Sequence, residues 1–151
     1  MADVLTAAQR SFNMSRIRGQ DTKPELAIRR GLHALGLRFR LHVRELPGRP
    51  DLVFPKYGAA VFVHGCFWHG HNCAMFHLPA TRRDFWSGKI SGNREHDKQA
   101  IFALRAEGWR VLVVWECSLR GPGRQKLEAV IARVHTFIIG RSKLGQVSGT
   151  R

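Results

Sequence analysis

Acidic residues and cysteines are both scarce in this 151-residue chain. Eleven Asp and Glu stand against 25 Lys and Arg, which gives a formal charge of +14 with His neutral and a pI near 11.3. Such an imbalance calls for a polyanionic partner. Nucleic acid suits it better than a membrane surface, because no long basic amphipathic helix is visible. Long hydrophobic runs are missing as well. The first dozen residues hold no apolar stretch that could serve as a signal-peptide core, and runs such as Val111 to Trp115 are too short to span a bilayer. A cytoplasmic protein without membrane association is therefore expected. Three cysteines are an odd and small set, and beside eight histidines they suit metal ligation better than a disulfide framework.

What is present is enough for a packed core. Hydrophobic residues make up 44% and aromatics 9%, with a mean hydropathy of −0.24, so the low-hydrophobicity signature of disorder is absent. Of the basic residues 19 are Arg and 6 are Lys; Arg offers a planar fork for phosphates and guanine edges. With no internal repeat and no linker, the chain reads as one domain over residues 22–139, preceded by a polar arm over 1–21 and followed by a basic tail over 140–151 that is expected to fray.

Thr22-Lys23-Pro24-Glu25 has the form of a capping box and starts a helix whose inward face would be Leu26, Leu32 and Leu35, closed by Gly36. Phe39, Leu41 and Val43 alternate with Arg38, Arg40 and His42 as in a half-exposed strand. Leu46-Pro47-Gly48-Arg49-Pro50 then turns into a short apolar strand from Asp51 to Phe54, and Tyr57-Gly58 turns into another from Ala59 to Val63. Together these suggest a meander. Residues from His64 to Pro79 fit no period and read as a site-bearing loop. Two helices are predicted next, one from Thr81 through Ile90 and one from Asn93 to Glu107. The run Val111 to Val114 reads as a strand covered on both faces, and a last helix spans about Arg124 to Ile139. The fold class is α/β, a mixed central sheet flanked by helices.

Chemistry concentrates in Val61-Phe62-Val63-His64-Gly65-Cys66-Phe67-Trp68-His69-Gly70-His71-Asn72-Cys73. Structural zinc takes four N or S donors in a tetrahedron. Cys66, His71 and Cys73 can supply three and Cys117 the fourth, although His64, His69 and His77 compete as ligands. Pro50-Asp51 opens a strand just before another strand, where an Asp can anchor Mg²⁺ in a nuclease. The second acid and Lys expected on the following strand are missing from Val61 to His64, so such a metal would need a backbone carbonyl and water. That gap points to a histidine base. The imidazole of His69 is suited to taking a proton from water near neutral pH, and Asp97 could fix its tautomer or could simply be a solvated helix charge. Glu25 is explained by its capping role without any catalysis. Phe67 and Trp68 could form a wedge that enters a base step, joined by Trp86 among Arg82, Arg83 and Lys89; alternatively all three pack as core.

These residues resemble the very-short-patch-repair (Vsr) family of DNA mismatch endonucleases, from about Asp21 to the helix after Cys117. The resemblance lies in Leu46-Pro47-Gly48-Arg49-Pro50-Asp51, in Val63-His64-Gly65-Cys66-Phe67-Trp68-His69, in Pro79-Ala80-Thr81-Arg82 with Phe85-Trp86, and in Gly108-Trp109-Arg110-Val111-Leu112 through Trp115-Glu116-Cys117. It implies a restriction-endonuclease-like core and Mg²⁺-dependent hydrolysis of one phosphodiester 5′ of the thymine in a T·G mismatch, the lesion left by deamination of 5-methylcytosine. By this similarity Asp51 binds Mg²⁺, His69 is the general base, Asp97 assists it, and Glu25 and His64 complete the site. Cys66, His71, Cys73 and Cys117 match structural Zn²⁺ ligands. Phe67, Trp68 and Trp86 match intercalating aromatics, Lys89 and Asn93 fall where the mismatch is read, and the arm with Asn13 and Met14 matches a minor-groove clamp. Val63 stands where the family often has Thr; a position that serves through its carbonyl oxygen loses little by that. The residues after Gly140 match nothing in the family pattern. A monomer acting on double-stranded DNA is expected. The rivals are a zinc-stapled DNA-binding module without catalysis and a restriction endonuclease that cuts matched DNA.

Overall fold

The computed structural model describes residues 21–150. The arm residues Asn13 and Met14 lie outside that range. The first helix, α1 (Lys23–Ala34), begins as its sequence dictates: Thr22 Oγ1 accepts the Glu25 N–H at 3.4 Å and Pro24 occupies the first turn. Glu25 reaches back one residue further than in the usual capping box and accepts from the Asp21 N–H at 3.2 Å. Its inward face is Glu25, Ile28 and Leu32, while Leu35 is 53% exposed. The expected face was thus rotated, because Gly36 at φ +92° already turns the chain and leaves Leu35 outside the last helical turn.

Five strands follow in a single sheet ordered β1-β2-β3-β4-β5: β1 (Arg40–Leu41), β2 (Leu52–Phe54), β3 (Ala59–His64), β4 (Arg110–Trp115) and β5 (Leu144–Val147). The first three pair antiparallel as a meander, and β4 and β5 add on in parallel. The sheet is therefore mixed. The strand expected over Phe39 to Val43 shrinks to β1 because His42 adopts a positive φ of 47° and bends the chain out of the extended form, although its N–H still reaches the Asp51 carbonyl.

Helices α1 and α3 (Leu127–Ile139) cover one face, and α2 (Arg83–Ala106) covers the other. Period-two alternation divides the central strands between them: Ala59, Val61, Leu112 and Val114 pack with Ile28, Leu32, Val130, Val134 and Ile138, whereas Ala60, Phe62, Val111 and Val113 pack with Ala100 and Leu104. Both faces of β3 and β4 are buried, as their continuous apolar runs require.

Two expectations are corrected. The two helices over 81–107 are one helix of 24 residues, α2. Gly88 and Gly92 stand in open space on its exposed side, so they weaken the helix without breaking it, and the packed side runs unbroken through Trp86, Ile90, Ala100 and Leu104. The tail over 140–151 does not fray throughout: Leu144–Val147 forms β5, paired along β4 with Val147 buried. Gly145 lets it lie under α3, since a Cβ there would already press Leu112 and Phe137 at 3.3 Å.

Candidate active site and metal centres

Residues spaced 86, 90, 93, 97, 100 and 104 form one stripe along α2, with the spacing that puts side chains on a common helix face. Its two ends are apolar: Ala100 and Leu104 pack on the sheet, and Trp86 and Ile90 pack on Phe67, Trp68 and Gly70 of the loop after β3. Its middle is Asn93 and Asp97, both partly buried, and there the stripe meets the loop after β3. Asn93 Nδ2 donates to the Trp68 carbonyl at 2.8 Å, and Asp97 Oδ2 lies 2.6 Å from His69 Nδ1. That short contact fixes the tautomer: Nδ1 carries the hydrogen toward the carboxylate, and Nε2 keeps the lone pair. His64, the last residue of β3, stacks flat on His69 with ring centroids 3.7 Å apart and planes within 2°. Burial, and then the neighbouring His69, push His64 down to about 3, so its ring is neutral at ordinary pH. Its Nδ1 is buried without a hydrogen-bond partner among the described residues.

The same cleft, about 290 Å³ in volume, contains Asp51. The turn over 46–50 delivers it, closed by the Arg49 N–H on the Leu46 carbonyl at 3.0 Å. Gly48 has φ +74° and sits so near α2 that a Cβ would fall 2.5 Å from the Ala100 Cβ, so the turn can approach only with glycine there. Asp51 Oδ2 accepts the Val63 N–H at 2.7 Å. Continued from Leu52 opposite Val61, the antiparallel register sets Pro50 opposite Val63. Proline has no N–H to give the Val63 carbonyl, which in extended backbone points to the same side as the Val63 N–H. On that register the Val63 carbonyl has no proline N–H to meet and lies on the side of the Asp51 carboxylate, a donor set suited to a hard cation. Burial pushes Asp51 up to about 7; the Val63 N–H opposes this, and the Glu25 carboxylate adds to it. A nearby cation would relieve that penalty.

Glu25 is only 1% exposed and lies behind Asp51 in a network of its own. Its Oε2 is 2.8 Å from His42 Nε2 and 3.1 Å from Arg29 Nη1, and Arg29 also bridges to Asp21 at 2.7 Å. The His42 N–H in turn donates to the Asp51 carbonyl at 3.0 Å. Glu25 thus joins the first helix to the strand that bears Asp51. Neither His42 nor Arg29 was singled out in the sequence, and neither were Arg49 and His96, which line the cleft. A positive φ of 50° at Arg49, in a turn otherwise rich in Gly and Pro, marks one of them.

The second cluster is Cys66, His71, Cys73 and Cys117, whose ligand atoms all lie within 4.8 Å of one another. His71 Nδ1 is 3.6 Å from Cys66 Sγ and 3.5 Å from Cys117 Sγ. A tetrahedral zinc ion with ordinary Zn–S and Zn–N bonds sets such an edge at about 3.6 Å. The residues fit that ion. Burial pushes both Cys66 and Cys117 thiols up; at Cys117 the Gly149 N–H works against it. Of the competing histidines, His64 and His69 line the cleft that holds Asp51 and Asp97, and His77 is exposed outside the cluster. The aromatics of the loop pack together with α2: Phe67, Trp68 and Trp86 have ring centroids 5.2 to 5.7 Å apart, with Trp86 buried and the other two partly exposed. Lys89 is exposed on the same part of α2.

A histidine paired with a carboxylate, a second carboxylate in the same cleft and a strongly cationic chain suit one class of protein, a hydrolase of phosphodiesters in nucleic acid. Comparison with known proteins narrows this. The family model described as DNA mismatch endonuclease Vsr matches residues 2–75. The chain is 46% identical to the DNA mismatch endonuclease Vsr of Escherichia coli K12 over 97% of its own length and 94% of that protein's. It is 51% identical to the type II nicking enzyme V.XorIIP of Xanthomonas oryzae pv. oryzae, over 82% of this chain and 90% of that one, and 40% identical to V.NmeAIP of Neisseria meningitidis, over 89% and 97%. The chain belongs to the Vsr family and is a hydrolytic DNA mismatch nicking endonuclease. Among the described residues no helix is long and apolar enough to cross a membrane.

Proposed function

We propose that this enzyme, acting as a monomer, nicks one strand of a DNA duplex on the 5′ side of the thymine in a T·G mismatch, in a reaction that depends on Mg²⁺. The observation that carries the catalytic reading is the His69–Asp97 contact at 2.6 Å in the same cleft as Asp51. Asp51 and the Val63 carbonyl would hold the Mg²⁺, which supplies positive charge for the phosphate and the leaving oxygen. His69 Nε2 takes a proton from water, and the resulting hydroxide oxygen bonds to phosphorus in line with the 3′-oxygen. The P–O3′ bond breaks, the 3′-oxygen takes a proton from solvent water, His69 returns its own proton to solvent, and the products are a 5′-phosphate and a 3′-hydroxyl. Asp97 holds the ring and stabilises the imidazolium that forms. His64, neutral and stacked on His69, keeps a second positive charge away from it. Arg49 and His96 flank the path of the phosphate.

Cys66, His71, Cys73 and Cys117 are assigned to a structural Zn²⁺ that pins the loop carrying His69. The same loop presents Phe67 and Trp68, with Trp86 as their base, as a wedge for the step at the mismatch; Lys89 and Asn93 stand beside it on α2. Asn13 and Met14 of the arm are assigned to the minor groove. The order of α1, the three-stranded meander, α2 and β4 agrees with a restriction-endonuclease-like core. For His69→Ala we expect nicking to be abolished while binding to a T·G duplex, measured by electrophoretic mobility shift, stays within a few-fold. Near-normal nicking would remove His69 from the role of base.

A further inference from the structure

The segment after α3, which matched nothing in the family pattern, returns across the cysteine–histidine cluster. β5 runs beside β4 and carries residues 148–150 over Cys117, where the Gly149 N–H donates to Cys117 Sγ at 3.2 Å. Three bonds hold the segment to the turn before α3: Gln125 Nε2 donates to the Ser148 carbonyl at 2.7 Å, and the Gly123 carbonyl accepts from the Thr150 N–H at 2.8 Å and from the Thr150 hydroxyl at 3.2 Å. The approach is close enough that a Cβ at Gly149 would collide with the Cys117 carbonyl oxygen, and one at Gly123 with that of Thr150. A second path runs through β5 itself. Gln146 Oε1 accepts the Trp115 indole N–H at 3.1 Å, and Trp115 stacks on the His71 ring at 4.1 Å with planes within 9°. One segment therefore meets two of the four metal donors, one through its sulfur and one through the ring behind which it stands.

We propose that residues 144–150 are a positioning strap of the zinc centre, with the Gly149 N–H as the contact that holds the metal in. The proposal rests on the zinc reading given above. Three thiolates and one neutral imidazole leave a zinc site with excess negative charge, and an N–H aimed at sulfur disperses part of it; partners of this kind are worth about 10- to 100-fold in metal affinity. Since the loop pinned by the metal carries His69, slack in the strap reaches the catalytic base.

Release of zinc from the intact protein into a chromophoric chelator tests this, together with the near-UV thiolate-to-cobalt band of the Co²⁺-substituted protein. Gly149→Ala, and a chain ended after Ser148 that keeps β5, should each release zinc about 10-fold faster or more and shift the cobalt band, with far-UV circular dichroism unchanged. If Gly149→Ala does not fold, the shortened chain decides. Release and spectrum equal to the parent overturn the strap alone. A parent protein that holds no zinc, or a Cys117→Ser variant that keeps it, overturns the zinc reading and the strap with it.

Discussion

Single side chains in the cleft do opposite things to the proton balance. His64 is held neutral down to about 3, so between roughly pH 6.5 and 3 the unfolded chain binds a proton that the folded one refuses, and stability falls as the pH is lowered through that window. Asp51, raised from 3.8 to about 7, keeps a proton that the unfolded chain gives up, and so contributes stability that is lost as the pH rises from 3.8 to 7. The two nearly offset each other in the protein without added Mg²⁺. Thermal melts between pH 7 and 4 should separate them: Asp51→Asn steepens the loss of stability toward acid, and His64→Phe flattens or reverses it. Parallel profiles for all three proteins would show that neither group titrates as described. Asp97→Asn keeps the shape of the site but lets the amide donate where a carboxylate accepts. It should cut single-turnover nicking by about 10²- to 10⁴-fold with little change in mismatch affinity; a loss under tenfold would reduce Asp97 to a structural contact. Of these residues, the cysteines and His69 were legible in the sequence because a dense loop of unusual composition announces itself. Asp97 was two-sided there, since on a helix read as two pieces it looks like a surface charge; the unbroken stripe from Trp86 to Leu104 shows it facing inward. His42, Arg29 and Arg49 gave little local signal, because their meaning comes from contacts with Glu25 and Asp51 across the fold.

At the scale of elements, β3 and β4 are readable from their apolar runs and α1 from its capping residues. The elements misread share one physical reason, which is that long-range packing overrode weak local preference. β5 is four residues, two of them exposed, with a glycine in it, and its pairing with β4 makes it a strand. α2 contains Gly88 and Gly92 with nothing within 4 Å of either would-be Cβ, so both cost helix stability without serving a close approach. Gly88→Ala and Gly92→Ala should each raise stability by about 0.5–1 kcal/mol in urea titrations with an unchanged slope. Destabilisation by either would mean that α2 needs a weak point there. The length of α2 matters to the site because one rigid helix carries Trp86 and Lys89 near the wedge, Asn93 on the loop and Asp97 on the base.

Across the whole molecule, charge and selectivity separate. A net +14 gives a salt-sensitive grip on any duplex through release of condensed counterions, and it does not choose a base pair. On the proposed reading, choice falls to the aromatic cluster and to α2, and chemistry to the cleft between the turn over 46–50, β3 and α2. The proposed zinc site would join the two, since the loop that holds Cys66, His71 and Cys73 carries Phe67, Trp68 and His69 within a few residues. The most direct test of this account is cleavage of matched and T·G duplexes, each strand end-labelled in turn, with Mg²⁺ present or withheld. The account predicts a single nick 5′ of the thymine, on the thymine strand of the mismatched duplex, only with Mg²⁺. Cleavage of both strands of matched DNA, or an equal nick without Mg²⁺, would contradict it.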